Sequence, residues 1–101
     1  MADRLSLHTR LTEILGSNNV YFQPPESVKI SYPAIIYSLD DIEKTHADNG
    51  MYRACRSYSV TLIDRDPDSP TVARLSALPF CRFNRYYSGD NLNHWNFSIY
   101  F

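Results

Sequence analysis

Asn91-Leu92-Asn93-His94-Trp95-Asn96-Phe97-Ser98-Ile99-Tyr100-Phe101 alternates without a break: Trp95, Phe97, Ile99 and Phe101 share one side, and Asn96, Ser98 and Tyr100 the other. A period of two belongs to a strand with one buried face, and a terminal segment of this kind is ordered when a neighbouring strand and an apolar layer hold it. The pattern therefore predicts a strand tied into a sheet by a pairing partner, with its apolar face packed on a core that the other segments must supply.

Working back from it, Ser88-Gly89-Asp90-Asn91 has turn composition, and Phe80 to Tyr86 reads as the strand paired with Leu92 to Phe101 in a hairpin. Upstream, Asp68 or Ser69 can cap a short helix that opens at Pro70 and runs to about Ala77. It buries Val72, Leu75 and Leu78, and Pro79 ends it. Tyr52 to Asp64 predicts a long, half-exposed antiparallel strand in which Tyr58, Val60 and Leu62 oppose Ser57, Ser59 and Thr61. Asp40 to Gly50 is polar and ends in Asn49-Gly50, which reads as a mobile hairpin loop. Pro33 opens a strand over Ala34 to Leu39, where Ile35, Ile36 and Tyr37 in succession predict cover on both faces. Val20 to Tyr32 contains Pro24-Pro25, has no sustained period and reads as an extended or irregular connection. Leu7, Leu11, Ile14 and Leu15 form the stripe of an amphipathic helix over Asp3 to Gly16. The order is helix, strand, strand, helix, strand, strand. It predicts an α+β fold whose mainly antiparallel sheet has two helices packed on one face.

At 101 residues, with no Gly/Ser-rich or Pro-rich linker, one domain covers 1–101. A chain of this size removes roughly 60 to 70% of its unfolded surface from water, enough for one modest core. Eight of its aromatic residues are Tyr, a type that fills cores and is also enriched where proteins meet, so both uses stay open. Ten basic and eleven acidic residues leave a net charge of −1, too balanced for a general nucleic-acid binder. The N-terminus lacks the apolar core of a secretory signal, and the longest apolar run, Ala34 to Tyr37, is too short to span a bilayer, so a cytosolic location is expected. Cys55 and Cys81 lack C-x-x-C spacing and read as buried free thiols.

Candidate chemistry is sparse. Asp64, Asp66 and Asp68 resemble the start of a calcium loop, but the loop glycine and the bidentate Glu are absent and Pro67 stiffens the turn, so turn and cap duty is expected. His8, His46 and His94 fall on a helix, a loop and a strand, with no metal-pair spacing. A Cys81–His94 pair would lack a third, orienting group, and Gly16, Gly50 and Gly89 form no phosphate-cradling loop. No catalytic residue, metal site or cofactor is expected, and the chain does not read as an enzyme. Arg82, Arg85, Tyr86 and Tyr87 are the only basic and aromatic cluster. They read as the solvent face and end of an interface strand, with a small single-strand nucleic-acid-binding module as the less favoured alternative.

Five stretches carry a family resemblance: Val20-Tyr21-Phe22-Gln23-Pro24-Pro25-Glu26-Ser27-Val28-Lys29; Ser31-Tyr32-Pro33-Ala34-Ile35-Ile36-Tyr37; Val60-Thr61-Leu62-Ile63-Asp64-Arg65-Asp66-Pro67-Asp68-Ser69; Leu78-Pro79-Phe80-Cys81; and Asp90-Asn91-Leu92-Asn93-His94-Trp95. Together and in this order they resemble the tail terminator, or tail-completion, proteins of long non-contractile-tailed phages and prophages of Gram-positive bacteria. The resemblance implies a virion structural protein of the tail or neck, assembled in the host cytoplasm. It implies a ring, usually hexameric, that caps the tail tube, with DNA passing only through the lumen and no membrane involved. The implied partners are other copies of the chain, the tail tube protein and a head-side connector or stopper protein; a head-side connector or stopper role is the alternative. No active site comes with the resemblance. The candidate ring or tube interface is the polar segment carrying Asp40, Asp41, Glu43, Lys44 and Asp48, together with Arg82, Arg85, Tyr86 and Tyr87.

Overall fold

The computed structural model describes residues 4–25, 27–46, 52–79 and 81–100, and for 41–46 and 52–56 it describes the backbone. In chain order the elements are α1 (Arg4–Leu15), β1 (Val20–Phe22), β2 (Ala34–His46), β3 (Tyr52–Asp64), α2 (Pro70–Ser76), β4 (Cys81–Gly89) and β5 (Leu92–Tyr100). The fold is α+β: two helices and a five-stranded, mostly antiparallel sheet of order β1-β2-β3-β5-β4.

The terminal strand sits inside the sheet, between β3 and β4. Its register aligns Trp95 with Leu62, Phe97 with Val60 and Ile99 with Tyr58. On the other side of β3, Leu62 meets Ile35 and Val60 meets Tyr37. These residues are one face of the sheet, and all are buried. They join Leu7, Leu11 and Leu15 of α1 and Leu75 of α2 in a single apolar cluster. Each large side chain that disappears into it contributes about 1.5–3 kcal/mol. Phe101 and Phe80, assigned above to the last hairpin, lie outside the described residues.

Local chemistry sets the helix ends. Gly16, at φ 78°, turns the chain left-handed and donates its N–H to Thr12 O at 2.9 Å. Ser69 caps α2 by accepting the Thr71 N–H at 3.4 Å, with Pro70 at the first helical position. Of the two residues expected to cap, Ser69 does so, while Asp68 donates its N–H to Asp66 Oδ1 at 2.9 Å in the preceding turn. Arg74 reaches across to Ile14 O at 3.2 Å, satisfying a carbonyl near the end of α1 and tying the helices together. The last hairpin closes on Asp90 and Asn91, both at positive φ (54° and 64°), between the paired Gly89 and Leu92. Their short polar side chains tolerate that conformation, and the two-residue turn matches strand twist.

Three expectations are corrected. Val20 to Phe22, read as irregular, is a short strand parallel to β2, with Val20 opposite Ile35 and Phe22 opposite Tyr37. A three-residue strand is too short to show a period, and its partner comes from beyond the two prolines. Ile36 is half-buried, not covered like Ile35 and Tyr37, because its face of the sheet is the polar one. The largest difference is at Asp40 to His46. The backbone here is strand, continuing β2 opposite Tyr52 to Ser57, with a bulge between Leu39 and Asp41. Polar composition argues against a strand only where one face must be buried, and a ribbon running past the other strands of the sheet is not bound by that requirement. Asn49-Gly50 and Asp48 lie outside the described residues.

Candidate assembly surfaces: a projecting arm and a free sheet edge

β2 and β3 are 13 residues each, longer than the sheet that receives them. β1 pairs with β2 only at Ile35 to Tyr37, and β5 pairs with β3 only from Ser57 onward. The rungs from Ile42–Arg56 to His46–Tyr52 therefore pair with nothing but each other among the described residues. They form a two-stranded arm about 15 Å long at the usual strand rise. The molecule is correspondingly drawn out, 51 × 27 × 23 Å, with a radius of gyration of 14.7 Å where about 13 Å is usual for this length. An isolated two-stranded ribbon is at best marginally stable in water, so the arm is an element in want of a partner.

Of the sequence-selected residues, Asp40 is exposed at the bulge that starts the arm. Asp41, Glu43 and Lys44 stand on its β2 strand opposite Ser57, Cys55 and Ala54. Arg82, Arg85, Tyr86 and Tyr87 are brought together on β4, but not on one face. A bulge between Phe83 and Arg85 places two residues opposite Asn96, so Asn84 and Arg85 both lie on the polar face. There the Arg85 guanidinium lies 5.3 Å from the Tyr87 ring centre, and Tyr87 stacks on His94 at 4.6 Å with the rings 8° from parallel. Tyr86 is on the opposite face, against Trp95 at 5.6 Å, and its hydroxyl donates to Asn93 Oδ1.

β4 is the outermost strand and is exposed along nearly its whole length. Its free edge presents an unpaired row of N–H and C=O groups, and three large rings flank it: Phe83 at 51% exposure, Tyr86 at 49% and Tyr87 at 43%. Phe83 was not singled out by sequence. Its place in the alternation marks it as inward, and it does meet Phe97 edge-on at 5.5 Å, but it stands on the edge strand, where α2 comes close to β4 without burying it. Only the strand order reveals that.

The polar face carries a transverse chain of side-chain hydrogen bonds that sequence reasoning also missed. Asn84 Nδ2 donates to Asn96 Oδ1 at 3.0 Å and to Ser98 Oγ at 2.8 Å. Asn96 Nδ2 donates to Ser59 Oγ at 3.1 Å and Thr61 Oγ1 at 3.0 Å. The chain stitches β4, β5 and β3 into a stiff surface with its polar capacity turned inward on itself.

No constellation for covalent chemistry is assembled among the described residues. Cys81 pairs with Ile99 on the apolar face while His94 pairs with Tyr87 on the other. Burial pushes the Cys81 thiol above its ordinary pKa, away from the reactive thiolate. Asp64 and Asp66 accept the N–H groups of Asp66 and Asp68 at 3.0 and 2.9 Å, which is turn duty. Among the described residues, no group of three or more His, Cys, Asp or Glu is placed to hold a metal ion. On the arm, Cys55 stands opposite Glu43 and His46 opposite Tyr52, three rungs apart. No protein-family model, curated protein or solved structure matches this chain.

Proposed function

We propose that this chain is a phage virion structural protein, a tail terminator that forms a ring capping the tail tube and joins the tail to the head-side connector. The observation that carries the reading is the arm: a ribbon whose strands pair only with each other among the described residues is marginal in water, and a neighbouring molecule in an assembly would stabilise it. The exposed rings along β4 are in keeping with it, and the fold keeps the expected helix and strand order with one short strand, β1, added after α1. The resemblance in the five stretches quoted above supplies the identity of the assembly. Ring closure explains how such edges are tolerated, since a heterologous contact that closes by rotation hides edges that would otherwise propagate. The reading assigns the chain no catalysis and no cofactor.

The test is to mix the purified protein with tail tubes of its own phage and view the tube ends by negative-stain electron microscopy. Rings at one end are the expected result. Bare ends from folded protein overturn the terminator role and leave the head-side connector or stopper role. Deleting Glu43 to Asn49 should leave the sheet and core intact and abolish capping; a deletion variant that still caps removes the arm from the mechanism.

A further inference from the structure

The sheet has two long unsatisfied edges, and they lie on opposite sides of it. One is the outer side of β2 beyond Leu39, whose N–H still donates to Gln23 Oε1 at 3.2 Å; the other is the free side of β4. β2 and β5 run one way and β3 and β4 the other, as the antiparallel pairings require. A second copy set beside the first in the same orientation therefore offers its β2 edge antiparallel to β4, the stronger kind of pairing.

Charge selects the same match. Asp40 to His46 carries Asp40, Asp41 and Glu43 against Lys44, whereas Cys81 to Gly89 carries Arg82 and Arg85 and no acidic residue. The other arm strand, Tyr52 to Arg56, carries Arg53 and Arg56 and would be repelled by β4. Two β4 edges would likewise repel each other, and the bulge and the arginines are devices that keep an edge from pairing with its own kind.

We propose that the acidic outer edge of the β2 arm, Asp40–His46, of one copy adds antiparallel to the basic free edge of β4, Cys81–Gly89, of the next. The contact is heterologous, so each copy gives its arm to one neighbour and receives an arm from the other. Because the arm projects past the sheet at the end where β4 begins, successive copies are staggered along the strand direction. The main-chain hydrogen bonds supply affinity, and the charge pairing fixes which edge is accepted.

The inference does not rest on the terminator role, and its experiment contains no tube. Sedimentation of the full-length protein across a concentration range at low salt should show reversible association. Arg82→Glu/Arg85→Glu and Asp41→Arg/Glu43→Arg should each weaken it about tenfold or more, since like charges then face each other. Mixing the two variants should restore association, because both alternating contacts become complementary again. Hydrogen exchange on the unaltered protein gives an independent readout: amides of Asp40–His46 and Cys81–Gly89 should gain protection together as concentration rises. A protein that stays monomeric, association indifferent to both charge reversals, or protection that rises in one segment alone overturns the proposal. Bare tube ends in the preceding experiment would leave this contact standing.

Discussion

Tyr37 takes its hydroxyl into the core at 1% exposure, where it meets His8 Nδ1 at 2.7 Å. Burial raises its pKa above 10.0, and the hydrogen bond and charge of Arg4 pull the other way. Above the ordinary phenol value the unfolded chain therefore sheds its proton before the folded chain does. The stabilising contribution is whole below pH 10.0 and is lost as pH rises through the folded value. Urea unfolding at about pH 8 and about pH 11 should show a smaller alkaline loss of stability in Tyr37→Phe than in the unaltered protein. His94 makes the opposite point: its Nδ1 is buried with no hydrogen-bond partner, beneath the Tyr87 ring. An orphan of this kind costs about 1–3 kcal/mol, so His94→Phe, which keeps the stacked plane and removes the nitrogen, should raise stability by about 1 kcal/mol in the same assay.

At the scale of elements, the ends of α1 and α2 are set by single residues whose chemistry is visible in the sequence. Gly16 has nothing within 4 Å of the place a Cβ would occupy, so Gly16→Ala tests its φ of 78° alone. The cost should be about 1 kcal/mol, a drop of roughly 4–8 °C in melting midpoint for a domain of this size, read by circular dichroism. The arm obeys a different rule. The described members of the cluster that holds the body together come from α1, β1, α2, β5 and the body lengths of β2 and β3, so removing Glu43 to Asn49 should change the melting midpoint far less than Gly16→Ala and, on the proposed function, end tube capping. On the proposed function, stability and assembly are carried by different lengths of the same two strands.

At the scale of the whole molecule, the long axis of 51 Å and the two free edges on opposite sides of one sheet make a shape suited to heterologous contact. Charge-reversed pairs that associate only when mixed are the outcome expected of it. The alternation from Trp95 to Ile99, the Leu7–Leu11–Leu15 stripe, the Ser69–Pro70 helix start and the Gly16 stop each act over a few residues. Their periods and backbone preferences were legible in the chain, and they determined the α+β class, both helices, and the buried face of β3 and β5. Which strand lies at an edge depends on pairings between distant segments, for which a local pattern has no period. Tertiary structure alone therefore placed β5 inside and β4 outside, exposed Phe83, paired Val20–Phe22 with β2 across the prolines, and extended β2 through Asp40–His46. A polar stretch reads the same as a loop or as a ribbon with water on both faces, and only the partner strand opposite decides between them.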